Sequence, residues 1–302
     1  MKIAVVGSIN KDYTAQVDKL PQKGETVIAS NYKISLGGKG ANQAVAAKRL
    51  GAEVAMIGAV GKLDGGQDIV KKLENDGIDV SGILIVDDEV TGNAMITVDE
   101  KGANTIVVYP GANNKLSPLW IKKQKEIIRN AHFAILQLEI PIETVEFAVK
   151  ISKECNVKVI LNPAPAKKLP EEIYKYVDII TPNEVELTQL TGTEDIKEGA
   201  SILMQKGVKE VIVTLGERGC YYTDGIREIF VEAVRVKAID TTAAGDAFNA
   251  AIAVALGEKM DINSALIFAN IAGALTTTKM GAQDALPFRQ EVESFKKNLV
   301  FG

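Results

Sequence analysis

Lys2, Ile3, Ala4, Val5, Val6, Gly7 and Ser8 decide the fold. The unbroken apolar run from Ile3 to Val6 reads as a strand buried on both faces, the kind found inside a parallel sheet. Similar runs recur at Val54 to Val60, Phe133 to Leu138, Val157 to Leu161, Val177 to Ile180 and Val211 to Leu215. Helical spacing falls between many of them, at Ala41 to Leu50, Gln67 to Asn75, Pro118 to Arg129, Ile142 to Cys155 and Glu184 to Leu190. This alternation predicts an α/β fold with a mostly parallel central sheet covered by helices on both faces. The last third turns helical, over Gly245 to Leu256, Asn263 to Thr276 and Phe288 to Leu299, and is expected to back a site.

Two segments break the rhythm. Glu25 to Leu36 places Ile28, Tyr32, Ile34 and Leu36 on one side, and Ala94 to Val98 and Thr105 to Tyr109 alternate in the same way. They predict a small β-sheet lid, approximately residues 11–36 and 86–109, standing off a single domain that spans 1–302; ordinary edge strands of the main sheet are the competing account. A sheet of this kind exposes an apolar face that a second copy of the chain can cover, so a homodimer through the lid strands is expected.

The 302 residues are 46% hydrophobic, enough for a large core, and 35 basic and 39 acidic residues are mixed along the chain for a net charge of −4. With no basic run, nucleic acid is not the expected partner. The longest apolar stretches are strand-sized and the start lacks the pattern of a secretory signal, so no membrane partner and a cytoplasmic location are expected. Cys155 and Cys220 lie far apart without metal-ligand spacing, and the single histidine, His132, abuts an apolar strand. Ser-His-Asp chemistry and histidine-rich metal sites therefore have no support.

The most informative polar stretch is Asp240, Thr241, Thr242, Ala243, Ala244, Gly245, Asp246, Ala247, Phe248, Asn249. Small residues allow close backbone approach, and the first turn of a helix presents unpaired N–H groups with a partial positive charge, so an anion is expected there. A carboxylate at the same place can take the proton of an alcohol while those amides hold a transferring phosphoryl group; alternatively, Asp246 caps its helix. Leu36, Gly37, Gly38, Lys39, Gly40, Ala41 and Asn42 bring a cation and a carboxamide to another open backbone. Position 33 is Lys and Gly40 follows Lys39, so this is not a P-loop, and Gly7, Ser8, Ile9, Asn10 lacks the dinucleotide fingerprint. Asn10 and Asp12 follow the first strand, where they can grip vicinal hydroxyls or form Asx turns, and Glu139 closes another strand with the same ambiguity. Thr214, Leu215, Gly216, Glu217, Arg218 and Gly219 form a turn that suits a nucleotide or a plain hairpin. Asn183 and Glu186, three apart, can hold hydrated Mg²⁺ or cap a helix.

In this order, GSIN with Asp12, GGKGANQAVAA, QLE ending at Glu139, NPAPA, TPNE, TLGERG, DTTAAGDAFNA and the late KMGAQ resemble the ribokinase family of carbohydrate kinases, which includes adenosine kinase and fructokinase. The likeness runs from Lys2 to about Phe295, and GGKGANQAVAA and NPAPA point to its ribokinase branch. The resemblance implies an ATP-dependent kinase acting on the 5-hydroxyl of ribose, with 2-deoxyribose, another sugar or a nucleoside as the alternative acceptor and a non-catalytic sugar-binding regulator as a further alternative. It implies Asp246 as base and the amides of Ala243, Ala244 and Gly245 as the anion hole. Asn10, Asp12, Gly38, Lys39, Gly40, Ala41, Asn42 and Glu139 fall at its sugar-binding positions. Asn183, Thr214 to Gly219, Gly245 and Asn270 fall at its nucleotide positions, and Glu186 at the position associated with Mg²⁺ through water. A monovalent cation, K⁺, is implied at Asp240, Thr242, Thr276, Lys279, Gly281 and Ala285, largely through carbonyls. Ala285 stands where the family commonly offers Ser, which removes one hydroxyl oxygen.

Overall fold

The structure is a computed structural model that describes residues 1–301. Its strands are β1 (Lys2–Val6), β2 (Asn10–Val17), β3 (Asn31–Gly37), β4 (Glu53–Gly61), β5 (Asp79–Val86), β6 (Gly92–Asp99), β7 (Asn104–Tyr109), β8 (Phe133–Leu136), β9 (Lys158–Leu161), β10 (Ile179–Ile180), β11 (Glu210–Thr214), β12 (Cys220–Thr223) and β13 (Glu228–Val231). The helices are α1 (Lys39–Arg49), α2 (Gly66–Asn75), α3 (Pro118–Lys123), α4 (Lys125–Arg129), α5 (Ile142–Glu154), α6 (Glu171–Tyr174), α7 (Glu184–Thr191), α8 (Ile196–Gln205), α9 (Ala244–Gly257), α10 (Ile262–Thr276) and α11 (Arg289–Phe301). No helix among the described residues is long and apolar enough to cross a membrane.

Nine strands form the main sheet in the order β13-β12-β11-β10-β9-β8-β1-β4-β5. It is parallel from β5 through β11, and β12 and β13 add an antiparallel edge. The expected fold class holds. Side chains alternate between two cores: Ile3 and Val5 face Ala44, Val45, Phe248 and Ile252 of α1 and α9, while Val6 and Leu136 join Val145 and Val149 of α5 on the other side. The chain winds from β1 outward to β4 and β5, then returns to β8 and winds the other way. A switch point of this kind, between β1 and β8, opens a crevice at the carboxyl ends of the strands, where open α/β sheets bind ligands.

A second sheet, ordered β3-β2-β6-β7, stands apart, with β2 and β6 parallel and the outer pairs antiparallel. The segments with half-exposed alternation thus belong to a sheet of their own rather than to the edge of the main one. Cross-strand register puts Ile34, Tyr13, Met95 and Val107 in one row and Ser35, Asp12, Ala94 and Val108 on the opposite face. The strand expected from Glu25 begins only at Asn31. Asn31 pairs with Gln16 and β2 ends at Val17, so residues 25–29 have no partner strand. The helix expected over Pro118 to Arg129 is broken at Gln124 into α3 and α4. Periodicity misses this break because the buried Ile121 and Ile128, seven residues apart, share a face with or without it.

The start of α1 lies against the β1 turn as closely as backbone permits. A Cβ on Gly40 would sit 2.6 Å from Gly7 C and Ser8 N. Ala at position 40 gains at most about 1 kcal/mol of helix propensity, against an overpacking cost of about 1–3 kcal/mol that here falls on rigid backbone. Gly40→Ala is therefore expected to lower the urea midpoint of unfolding with an unchanged slope; a midpoint equal to or above that of the parent would refute this close approach.

Candidate active site

Helix α9 starts after Ala243, whose φ of +61° is left-handed, a conformation that costs a non-glycine residue about 1–3 kcal/mol. That strained residue turns the chain so that the first amides of α9 face outward. A Cβ on Gly245 would meet nothing within 4 Å, so the backbone there is open to a ligand. The Ala244 N–H is engaged in the turn, at 3.3 Å from Thr241 O. Asp246 lies one residue further into the helix and does not cap it: the N-cap is Ala243, without a side-chain bond. The Asp246 carboxylate instead accepts from Asn42 Nδ2 on Oδ2 and from Gln43 Nε2 on Oδ1, both at 2.9 Å, so two donors from α1 hold it. Burial pushes its pKa up; Lys39 and the two amides oppose that shift, and Glu139 adds to it.

Helix α1 begins at Gly38, which has no side chain to cap it and a φ of +85°. Glu139, from the end of β8, takes that role: its Oε2 accepts from Lys39 N at 3.0 Å and from the Ser8 hydroxyl at 2.5 Å. This contact spans the β1–β8 switch point. Asp12, on the inward face of β2, forms no Asx turn. Its carboxyl is raised to about 7, by burial first and then by Glu139 and Asp246. Gly37 makes room for it, since a Cβ there would fall 2.5 Å from Asp12 Cγ. Asn10 Oδ1 accepts from Asn113 Nδ2 at 2.7 Å, which leaves the Asn10 amide hydrogens for another acceptor. Gly40 and Ala41 lie buried in the first turn of α1. The Lys39 ammonium is pulled down by burial, yet Asp246, Glu139 and Glu186 together hold its pKa above the ordinary value. Asn10, Asp12, Gly38, Lys39, Asn42, Glu139 and Asp246 thus surround one cleft.

On the other side, Asn183 and Glu186 form a reciprocal capping box on α7: Asn183 Oδ1 accepts from Glu186 N at 2.8 Å and Glu186 Oε2 from Asn183 N at 2.9 Å. The remaining oxygen of Glu186, whose pKa is raised chiefly by burial, sits in the field of Lys39 and Asp246. That is a donor set compatible with hydrated Mg²⁺. Asn183 bridges to Thr214, and Leu215 to Gly219 make the tight turn of the antiparallel β11–β12 hairpin, with Arg218 paired to Glu184. The hairpin account of TLGERG is therefore correct as geometry, and Gly216 stays open. Asn270 on α10 reaches Val231 O at 3.4 Å and the buried Cys220 sulfur at 3.5 Å. A cavity of about 510 Å³ lies beside this hairpin, lined by Lys197, Arg218, Tyr221 and Phe230, and none of the cleft carboxylates lines it.

Asp240 ties two loops together: Oδ1 accepts from Thr242 N and Oγ1 at 2.9 and 2.6 Å, and Oδ2 from Gly281 N at 2.8 Å. Burial opposes its ionisation, but these bonds and Lys33 bring its pKa below the ordinary value. The Thr276 hydroxyl bonds back to Ala272 O, the Lys279 ammonium pairs with Glu291, and Ala285 is buried. Asp240 apart, these positions can offer a cation their backbone carbonyls and the Thr242 hydroxyl, so they fit K⁺ with one hydroxyl fewer than a Ser at 285 would give.

Residues not singled out from the sequence complete the site. Gln43, Gln137, Asn162, Thr181 and Asn249 form a buried polar chain behind Asp246, and Ser8 and Asn113 secure the sugar side. Their signal was present: most are polar residues within or next to the motifs quoted above, at the ends of otherwise apolar strands.

Comparison with known proteins agrees with the geometry. The sequence model for the pfkB family of carbohydrate kinases matches residues 1–289. The ribokinase of Haemophilus influenzae is 42% identical over 298 residues, 97% of each chain. The deoxyribokinase of Salmonella typhi is 36% identical over 305 residues, 99% of each chain. The structure of Arabidopsis thaliana ribokinase complexed with ribose and ATP superposes with a TM-score of 0.91 at 34% identity, covering 98% of each chain.

The raised Asp12 pKa makes a stability prediction. Its folded value of about 7 lies above the ordinary 3.8, so between these values the unfolded chain holds fewer protons than the native one, and stability falls as pH rises through the window. Asp12→Asn removes that cost. Its melting temperature is expected to exceed the parent's by a few degrees above pH 7, with the gain vanishing toward pH 4. A gain that does not change with pH would contradict a perturbed Asp12.

Proposed function

The chain belongs to the pfkB family of carbohydrate kinases, and from that premise we propose that it transfers the γ-phosphoryl group of ATP to the 5-hydroxyl of D-ribose, giving ribose 5-phosphate and ADP. One observation carries the reading: Asn42 joins the sugar side to the base. Its Nδ2 donates to Asp246 while its Oδ1 is buried with no donor, an orphan that a sugar hydroxyl satisfies. Asp246 takes the proton from the 5-hydroxyl as its oxygen attacks the γ-phosphorus and ADP departs. The amides of Ala243 and Gly245, with that of Ala244 on release from Thr241 O, and the Lys39 ammonium face the charge of the group in transit. Glu186 would hold Mg²⁺ through water, where the ion would supply positive charge to the phosphates, and the residues around Asp240 would hold K⁺.

Phosphoryl transfer needs little covalent work from the protein, so positioning dominates. Good alignment of hydroxyl and phosphorus is worth about 7–11 kcal/mol, against roughly 10²- to 10⁴-fold from the base. Such alignment calls for exclusion of water, and the second sheet, approximately residues 11–36 and 86–109 and carrying Asp12 on its inner face, is suited to close as a lid over the site. Its outer row, with Ile34 and Met95 exposed, suits a second copy of the chain, which makes the assembly a homodimer. The reaction belongs in the cytoplasm, where ATP is available.

The second reading, a deoxyribose kinase, is favoured by the deoxyribokinase relative. Asp12 and Asn42 argue for ribose, since a missing hydroxyl leaves buried polar groups unpaired. A panel of ribose, 2-deoxyribose, fructose and adenosine ranked by kcat/KM, with and without K⁺, is expected to place ribose first; deoxyribose in first place would reverse the assignment. Asp246→Asn is expected to bind ribose normally in calorimetry while losing about 10²- to 10⁴-fold in ribose-dependent ADP formation. Near-parental turnover would remove Asp246 as base, and ribose binding with no turnover in the parent would leave a sugar-binding regulator.

A further inference from the structure

Gln43 is neither a sugar nor a nucleotide position, yet its amide makes three hydrogen bonds in the buried interior. Gln43 Nε2 donates to Asp246 Oδ1 at 2.9 Å and to Asn162 Oδ1 at 3.2 Å, while Gln43 Oε1 accepts from Gln137 Nε2 at 2.6 Å. Both Gln43 and Gln137 are fully buried. Asn162 is fixed in turn, its Nδ2 donating to Thr181 O at 3.2 Å. The orientation of the Gln43 amide is thus set from behind. With Asn162 Oδ1 fixed as an acceptor by the Asn162–Thr181 bond, the amide presents N–H to Asp246 and Asn162, because the reverse orientation would set its oxygen against a carboxylate and an amide oxygen.

We propose that Gln43, locked by Gln137 and Asn162, is a positioning residue that fixes the plane of the Asp246 carboxylate and keeps it a proton acceptor. The inference rests on Asp246 acting as base. A carboxylate held only by Asn42 on Oδ2 can rotate about its Cβ–Cγ bond, and Asn42 exchanges contacts with the sugar as it enters and leaves. Gln43 is fully buried and spends its amide on groups inside the protein, so its hold on Oδ1 does not depend on the sugar. Its donation also opposes the effect of burial on Asp246. The charged or titratable groups that face Asp246 are Lys39 on α1, Glu139 after β8, Asp12 on β2 and Glu186 on α7. All four remain in a variant changed only at position 43, so a difference from the parent reports Gln43 rather than them.

Gln43→Glu keeps the size of the side chain and the acceptor for Gln137 but puts a second carboxyl against Asp246. The two then share a proton, as like charges in contact do. The acidic limb of the kcat–pH profile is expected to move up by about one unit or more, with kcat at pH 7 down by about tenfold or more and the KM for ribose within about threefold of the parent. A merely structural role predicts a lower melting temperature or a raised KM with the limb in place. Gln137→Met acts one bond further away. It is expected to give a smaller shift in the same direction and to add nothing to Gln43→Glu, because both act through one amide. It decides alone if Gln43→Glu does not fold. A kcat–pH profile that superposes on the parent's in the folded variant, or a loss confined to KM, overturns the proposal. No ribose-dependent turnover in the parent would instead overturn the kinase reading itself.

Discussion

Two helices from opposite ends of the chain meet at one buried carboxylate. Asp246 sits in the first turn of α9, and both of its oxygens are held by consecutive side chains in the first turn of α1, more than two hundred residues away in sequence. Everything else in the architecture serves that meeting. The apolar faces of α1 and α9 pack on each other and on β1, with Ala44, Ala47, Ala250 and Ala251 at the contact, and such small side chains let helix axes come close. Without that approach, the two helix starts would diverge and an isolated carboxylate would be left buried. A buried charge lacking partners is among the costlier defects a fold can carry.

The strand order makes the meeting possible at one end of the sheet. Because the chain reverses its winding between β1 and β8, the loops leaving these neighbouring strands part company, and Ser8 and Gln137 to Glu139 line the gap. Glu139 then acts on both sides of it, bonding Ser8 and receiving the first amide of α1. A glycine at position 38 cannot cap a helix with a side chain, so the cap comes from across the switch point. The same economy recurs at Gly40 and Gly37, one admitting the β1 turn and the other the Asp12 carboxylate. In each case a side chain is omitted so that a functional group from another element can occupy its space.

Apolar patterning made the main sheet readable: β1, β4, β8, β9, β10 and β11 are buried on both faces, and continuous hydrophobic runs announce such strands. Two strands that escaped, β2 and β5, have mixed faces. In β2, Asn10, Asp12 and Thr14 interrupt the pattern because the inner face of that strand looks onto polar groups, and β5 carries Ser81 and Gly82 at the sheet edge. Candidate site residues were legible where an unusual residue stood at a strand end or helix start, as for Asp246, Asn42, Asp12 and Glu139. Gln43, Gln137 and Asn162 were not. All three stand inside quoted motifs, but a carboxamide carries no charge, and its meaning depends on which way its two ends point, which only the three-dimensional network determines.

The charge balance of the cleft explains why its parts are arranged asymmetrically. Asp12, Glu139, Glu186 and Asp246 bring four carboxyl groups around one ammonium, Lys39. A neutral sugar suits such a place, since its hydroxyls donate to carboxylates that burial has stripped of water. A triphosphate does not suit it. Positive potential for the phosphates must come from elsewhere: from the amides at the start of α9, which Ala243 turns outward at the cost of a left-handed conformation, from Lys39, and from cations that travel with the nucleotide. Lys39 therefore occupies the one position where a single charge serves both halves. It lowers the cost of ionising Asp246, so its own raised pKa and its opposition to the burial-driven rise of the Asp246 pKa are two views of one interaction.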